Sequence, residues 1–555
     1  MINDKNIVAQ MFADYFSNIG ETLDRSIPRT DVSPLSFMPN SSTRSFFFRP
    51  TSSDEVTKLI ASFPNKGCHI NEIPIYIFKR CSHILAPIIS RLFDESVGCG
   101  VFPTALKKGR IVPIHKKGSK ATISNYRPIC TLPILSKIFE KLAYVRINTF
   151  LTENDLLSNK QFGFRKGLST SDALLEFLDN VYHSFNESHY TVSVFLDFSK
   201  AFDTVNLDIL LNKLNHMGFR GICSDWLKTY LRGRIQYVDL DGTHSSLMPV
   251  RLGVPQGSTL GPLLFLVYIN DMNTVPSNME VVHFADDTTL YMHCNHFIHN
   301  HADQINHDLM QIDEWLCSNR LSINIEKTSY MVLSNRLMVP DLPLELRNIQ
   351  IKRTDTYKFL GVQIDANLKF HKHIDDLCNK LSRNIGVMTR ISQFLPQGAL
   401  RSVYLAIISS HVNYGITTWG SAGASVLSRL KSLMNRAIRR LGLPNEPLTS
   451  ICIRNRLLNF DATYKFFVLM KMYNITIGAS HEYFYRQIAE LRPIHSYPTR
   501  FIMSDSLNLP LYFRTKCQNS FLYRGIKLWN KLPLALREEP PRKFKPLMRS
   551  FVVTN

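Results

Sequence analysis

Apolar positions along the chain change period several times, and each change predicts an element. Leu174, Leu178, Val181 and Phe185 fall at helical spacing, which predicts a helix over residues 171–185 with Thr170 or Ser171 as N-cap. Val192, Val194 and Leu196 then alternate, the signal of a strand running into Asp197. Residues 250–272 (VRLGVPQGSTLGPLLFLVYINDM) read as a Gly/Pro-rich turn followed by an apolar helix. Residues 279–293 (MEVVHFADDTTLYMH) read as strand, tight turn, strand, with Asp286 and Asp287 at the turn. Residues 109–129 predict a strand, a basic turn and an extended segment, and residues 357–365 a short strand containing a glycine. Beyond about residue 370 the period is mostly helical. Near the start, a short amphipathic segment (Val8, Met11, Phe12, Tyr15, Phe16) precedes a Ser/Pro/Thr-rich stretch, residues 33–53, which reads as a linker.

Composition narrows the class. The chain has 555 residues, 45% apolar and 20% charged, proportions that exclude a mainly disordered or collagen-like protein. At about 150 residues per domain, three or four domains are expected. The net charge of +20 is uneven: from His371 onward 27 Lys and Arg stand against 9 Asp and Glu, which leaves +2 on the first 370 residues. Such asymmetry usually marks a polyanion partner, most often nucleic acid; a solubilising or membrane-facing surface is the plainer reading. Ten cysteines are scattered with no C-x-x-C pair, which argues against a zinc finger or disulfide framework and fits a reducing compartment. The longest apolar stretch, near residues 263–269, is too short to span a bilayer.

Three aspartates carry the candidate chemistry. Asp197 ends a strand, and Asp286 and Asp287 sit in a hairpin. Mg2+ is held by one or two carboxylates plus substrate phosphates, and two such metals clamp both oxygens of an in-line displacement. Taken alone, an Asp-Asp turn is usually just a solvated turn. The ordered set changes that. FLDFSKAFDTV (195–205), GVPQGSTLGPLLF (253–265), FADDTTLY (284–291), LSINIEKTSYM (321–331) and FLGV (359–362) follow one another. Upstream lie SNYRPICTLPILSKIFEK (124–141) and QFGFRKGLST (161–170), and YRGIKLWNKLP (523–533) closes the series more weakly. This order and spacing resembles reverse transcriptases of non-LTR retrotransposons of the jockey-like kind, from about Ala105 to Asp365.

The resemblance implies an α+β right-hand polymerase with fingers, palm and thumb, followed by a basic, mostly helical C-terminal region. The implied divisions are an N-terminal extension or linker (1–54), fingers and palm (55–369), a thumb-like helical region (370–445) and the basic C-terminal region (446–555). Asp197, Asp286 and Asp287 match the catalytic carboxylates, with Asp197 and Asp286 as principal ligands of two Mg2+ ions (Mn2+ being an alternative) and Asp287 in a supporting role. The implied reaction is attack of a primer 3′-hydroxyl on the α-phosphate of a dNTP. Phe202 matches the ring that excludes a ribose 2′-hydroxyl, although ordinary core packing explains a lone phenylalanine equally well. Gln256 and Gly257 match the turn that meets the incoming nucleotide and template. Lys116, Lys117 and Arg127 lie on a fingers-like hairpin where cations would neutralise the triphosphate; the plainer role of such a hairpin is to protect a sheet edge. Lys327 would stabilise or protonate leaving pyrophosphate, or be a solvated lysine. Phe359, Leu360 and Gly361 resemble a primer grip, Arg165 would meet template backbone, and Arg383 lies on an amphipathic thumb helix with Lys372, Lys380 and Arg390. Arg436, Arg439 and Arg440 form a second basic cluster. His293, Cys294, His296, His299 and His301 crowd together and have metal-site spacing, but read better as a polar loop.

The implied partners are an RNA template, a DNA primer or target and dNTPs, with no membrane. Family members usually carry an N-terminal endonuclease; Asp197 lies too near the start for one to fit, so a separate source of nicked target is expected. Priming at chromosomal DNA implies the nucleus, with a cytoplasmic ribonucleoprotein stage, and residues 540–546 (PPRKFKP) are a weak localisation candidate. The competing reading is a catalytically silent nucleic-acid-binding remnant, for which the basic C-terminal third would suffice. An intron-encoded maturase shares the palm motifs but fits the downstream WNKLP pattern poorly.

Overall fold

The computed structural model describes residues 4–65, 73–295, 298–336, 339–443, 445–492 and 506–554. At its centre a five-stranded sheet runs in the order Lys352–Arg353, Ser329–Leu333, Tyr190–Leu196, Asp287–Cys294, Glu280–Phe284. The strand expected from Val192, Val194 and Leu196 is Tyr190–Leu196, and all seven of its residues are buried. The strand is central and has a core on each face. Val192, Val194 and Leu196 pack with the apolar helix Gly261–Ile269 and with Ala302–Ser318, while Phe195 packs with the helix Thr170–Asn186. That last helix begins one residue earlier than expected, because Ser169 and Asp172 form a capping box.

A second sheet pairs Lys108–His115 with Tyr126–Thr131 (antiparallel) and with Arg234–Leu240 (parallel), and the short strands Thr243–His244 and Met248–Val250 complete it. This is the expected fingers hairpin, but its open face is covered by the N-terminus. Residues read as an extension form the 22-residue helix Lys5–Ser26, whose Phe12, Ala13 and Phe16 bury against Ile111, Cys130, Leu132 and Val238. Each phenylalanine contributes about 1.5–3 kcal/mol by leaving water. Arg320, which is 7% exposed, locks the helix end by bonding Asp24 and the Ile27 and Pro28 carbonyls. The expected linker is not a free tether either. Phe46 is 2% exposed and packs on Phe48, Phe150 and Phe219. Ser/Pro/Thr content signals irregular backbone; it does not exclude burial of the aromatic residues within it.

The chain then becomes helical. The thumb helix His371–Ile391 buries Ile374, Leu377, Leu381 and Ile385 and leaves Lys372, Lys380, Arg383 and Arg390 exposed. The boundary expected after residue 445 is not a boundary of the core. Ile451, Cys452, Leu457 and Phe460 share a core with the thumb, and a separate core begins near Ala462, built by Phe460–Thr476, Glu482–Glu490, Phe521–Trp529 and Pro541–Thr554. Among the described residues no helix is long and apolar enough to cross a membrane.

The N-terminal helix lies close against the palm at Gly20, where an added Cβ would stand 2.5 Å from the Asp203 carbonyl oxygen. Gly20→Ala is therefore expected to lower stability by about 1–3 kcal/mol, although alanine is the better helix former by about 1 kcal/mol. Urea unfolding checks the sign, and a neutral or stabilising effect would show the helix to be loosely docked.

Candidate active site

Asp197 follows directly on the central palm strand. Its backbone is held from both sides: Asn324 N–H donates to the Asp197 carbonyl at 2.8 Å, and Asp197 N–H donates to Thr328 Oγ1 at 3.4 Å. The motif containing Lys327 thus braces the carboxylate-bearing residue, and Lys327 Nζ stands 3.5 Å from Asp197 Oδ2. Both side chains are substantially exposed, so that pairing is loose and open to exchange.

The neighbouring hairpin pairs Phe284 with Asp287, which makes Ala285 and Asp286 the two turn residues and Asp287 the first residue of the returning strand. Ala285 is left-handed, with φ +57°. That conformation costs a non-glycine residue about 1–2 kcal/mol. It is held by Gln161, whose Oε1 accepts from Ala285 N–H at 2.9 Å and from Gly163 N–H at 2.8 Å. His283, 2% exposed, bonds Thr288 Oγ1 across the hairpin, and burial pushes its pKa down to about 4, so it is neutral structural filling.

The three carboxylates lie within electrostatic reach of one another. Burial raises the pKa of Asp286; its own backbone N–H, Arg127 and Lys116 oppose the rise, and Asp197 adds to it. Asp287 keeps an open surface, yet the protein around its carboxyl desolvates it, and together with the charges of Asp286 and Asp197 pushes it up to about 6. Lys116 and Arg127 are the cations that act on both. Lys116 is therefore a lysine of this hairpin whose charge reaches the carboxylates. Lys200, which the sequence reading passed over inside FLDFSKAFDTV, joins this group. It takes a left-handed backbone, donates to the Tyr126 carbonyl at 3.1 Å, and has its pKa lowered by burial and by Lys116, Arg127 and Lys327, against the pull of Asp203. Among the described residues no three His, Cys, Asp or Glu side chains converge as a ready-made metal cage.

The turn before the apolar helix is stitched to both sheets. Cys130 N–H donates to the Gln256 carbonyl at 2.7 Å. Gly257 has φ +119°, and a Cβ there would collide with the Cys130 carbonyl, so only glycine fits. The Gln256 side chain is anchored rather than free: its Nε2 donates to both Asp203 oxygens at 2.8 Å. Asp203 was not singled out from sequence; burial raises its pKa to about 6, with Lys200 and the Gln256 bond opposing. Phe202 is half-buried, stacked on Phe265 at 4.3 Å and edge-on to Phe164 at 6.2 Å. Its ring is fixed by packing at the palm surface, five residues before the helix Leu207–His216 that carries Leu210 and Leu214 into the core.

Residues 357–365, expected as one strand, form a hairpin of Thr356–Phe359 and Val362–Asp365. Leu360 and Gly361, at φ +44° and +86°, make the turn with the two positive φ values of a type I′ turn. Tyr357 stacks on Phe195 at 3.7 Å, two residues before Asp197, so this hairpin rides on the strand that leads into Asp197. Phe359 and Leu360 are 2% and 8% exposed, so their side chains belong to the core, and the Leu360 carbonyl at the turn accepts from Tyr414 OH at 2.6 Å. Arg165 differs from the expectation of a template contact: its Nη1 donates to the Ser158 carbonyl at 2.6 Å, and burial lowers its pKa. It braces a loop, because a half-buried guanidinium must find acceptors. Arg383 stands exposed on the thumb helix. In the histidine-rich segment His293 bonds Thr191 Oγ1 at 3.0 Å, while His296 lies outside the described residues.

With this geometry in view, the comparisons are specific. Residues 114–364 match the family model for "Reverse transcriptase (RNA-dependent DNA polymerase)". The chain is 28% identical over 406 residues to the probable RNA-directed DNA polymerase from transposon BS of Drosophila melanogaster, covering 71% of this chain and 45% of that protein. It is 30% identical over 365 residues to the probable RNA-directed DNA polymerase from transposon X-element of the same organism (63% and 39%). It is 29% identical over 404 residues to the RNA-directed DNA polymerase from mobile element jockey (70% and 43%). The chain thus spans less than half the length of these relatives. The matched segment contains Asp197, Asp286, Asp287 and the cations around them, and residues 114–364 thus carry a reverse transcriptase (RNA-dependent DNA polymerase) domain.

Proposed function

We propose that this chain is the RNA-directed DNA polymerase of a non-LTR retrotransposon, and that it transfers nucleotides from dNTPs to a primer 3′-hydroxyl on an RNA template. The observation that carries this reading is the electrostatic grouping of Asp197, Asp286 and Asp287, brought together from separate motifs and faced by Lys116 and Arg127. The carboxylates fit a hard divalent cation. They are oxygen donors, and they hold one another's charge at a disadvantage that a cation would relieve.

When bound, Mg2+ or Mn2+ would supply charge neutralisation at the attacking and leaving oxygens. Asp197 and Asp286 hold the metal, and Asp287 adds negative potential beside them. Lys116 and Arg127 bind the triphosphate from the fingers side. Lys200 ties the fingers to the palm and keeps that pair of cations in place. Lys327, loosely paired with Asp197, is free to exchange toward the pyrophosphate as it departs. Phe202, immobilised on Phe265, limits the room at the sugar 2′ position. Primer and template run from the hairpin around Leu360 and Gly361 to the exposed basic face of the thumb helix. The nucleus, after a cytoplasmic ribonucleoprotein stage, is the site of action that follows from priming at nicked chromosomal DNA.

Primer extension on poly(rA)/oligo(dT) with dTTP and Mg2+ tests the reading. Extension is expected from the natural protein and is expected to fall below detection in the Asp286→Ala, Asp287→Ala double variant, with duplex binding retained. Duplex binding without extension in the natural protein would favour the silent remnant. Phe202→Val is expected to raise ribonucleotide incorporation relative to deoxyribonucleotide by about 10–100-fold, read from competing rUTP and dTTP; unchanged discrimination would return Phe202 to simple packing. Metal ligands must be deprotonated, Asp286 is raised, and Asp287, pushed up to about 6, loses the charge it adds beside them as it protonates. Mg2+ affinity is therefore expected to fall as pH drops through about 6, above the ordinary carboxylate range. Calorimetric titration of Mg2+ between pH 5 and 8 checks this.

A further inference from the structure

The palm helix Thr170–Asn186 carries Asp172, Glu176 and Asp179 at successive turns, 2%, 1% and 2% exposed. Buried carboxylates need partners. The partners come from about 300 residues further on. Lys471 pairs with Asp172, Tyr483 OH donates to Asp179 Oδ2 at 2.8 Å, and His481 Nδ1 stands 3.1 Å from Glu176 Oε2. His481 Nδ1 also accepts from Tyr483 N–H at 3.4 Å and so caps the helix Glu482–Glu490 beside Glu176. The other Glu176 oxygen meets Lys160 at 3.1 Å, and Lys160 also reaches Glu280, on the first strand of the catalytic hairpin, at 3.3 Å.

His481 has a second bond. Its Nε2 donates to the Asn159 carbonyl at 2.7 Å, and its ring packs on Phe162 at 4.5 Å. Residues 159–162 are the segment that grips the catalytic turn. His283 N–H donates to the Lys160 carbonyl and Phe162 N–H to the His283 carbonyl, each at 2.9 Å, while Gln161 Oε1 holds the left-handed Ala285. One short segment therefore has His481 on one side and the turn bearing Asp286 on the other.

We propose that the C-terminal helical region is a positioning element for polymerisation, acting through His481 on residues 159–162 and thereby on the Asp286 turn. The proposal rests on the polymerase reading above. His481 is a positioning residue, since it reaches the turn only through Asn159 and Phe162. A region that merely added stability would not need to bond the segment that holds the catalytic backbone, and a region that merely bound nucleic acid would not bury its polar groups against the palm.

The test uses the full chain and four forms: natural, His481→Ala, His481→Gln and Leu522→Ala. The glutamine keeps a donor that can reach the Asn159 carbonyl. Leu522, 2% exposed in the C-terminal core, serves as the control for lost stability alone. Single-turnover extension of a preformed RNA/DNA duplex with saturating dTTP should be about tenfold slower in His481→Ala, with unchanged duplex Kd and dTTP KM. His481→Gln should recover most of the rate. Leu522→Ala should lower Tm and leave the rate within twofold. Equal rates in His481→Ala and natural protein, or equal losses in His481→Ala and Leu522→Ala, would overturn the proposal. Hydrogen exchange gives a readout independent of turnover. In His481→Ala the amides of Phe162, His283 and Ala285 should exchange faster, and unchanged protection there would overturn the proposal by itself. A natural protein that fails to extend primers, with this exchange response intact, would instead remove the polymerase reading and keep the coupling.

Discussion

Three carboxylates held within reach of one another repel, and the centre of this molecule is built around tolerating that repulsion. Burial alone disfavours the charged form, and each neighbour adds to the effect, so Asp287 titrates near 6. The protein meets this cost with rigid backbone and nearby cations. Asp197 sits at the end of a strand buried on both faces. Asp286 sits in a two-residue turn whose left-handed Ala285 is fixed by a glutamine oxygen. Lys116 and Arg127 reach in from a different sheet and offset part of the charge without neutralising it. The proposed metal and triphosphate roles rest on this partial compensation, since a fully paired cluster would be inert.

That balance requires the fingers sheet to keep its place against the palm, and the contacts that do so are mostly backbone contacts. Gly257 lies against the Cys130 carbonyl, Cys130 bonds the Gln256 carbonyl, and Lys200 bonds the Tyr126 carbonyl. Asp203 and Gln256 close the same junction from the side-chain end. The N-terminal helix covers the back of the fingers sheet and touches Asp203 through Gly20. Its role is therefore structural at the site, since it bears on the same junction that aligns the cations with the carboxylates.

Much of this was readable from the chain. The ordered motifs located Asp197, Asp286, Asp287, Lys116, Arg127 and the Gln256–Gly257 turn, because those residue types at those spacings serve charge and close backbone approach. The helix over 170–186 and the hairpin over 280–294 followed from periods of about 3.6 and 2 in apolar residues. Lys200 and Asp203 escaped because a lysine and an aspartate beside a helical turn look like ordinary solvated groups until the fold buries them. Arg165 was assigned to template because a basic residue in a loop suggests phosphate; its acceptors are carbonyls of its own loop, and nothing local distinguishes the two.

The sequence by itself determined the resemblance to reverse transcriptases, the candidate carboxylates and the alternation of strand and helix, since each depends on local composition and order. Tertiary structure decided what lies together across long separations. It placed a presumed linker's Phe46 in the main core and split residues 357–365 into a hairpin stacked on the strand that leads into Asp197. It also brought Lys471, His481 and Tyr483 onto three buried acids about 300 residues earlier in the chain. Such pairings have no period and no local signature. They arise because buried charge must find a partner wherever the fold supplies one, and the fold is set by the hydrophobic cores that bring those surfaces into contact.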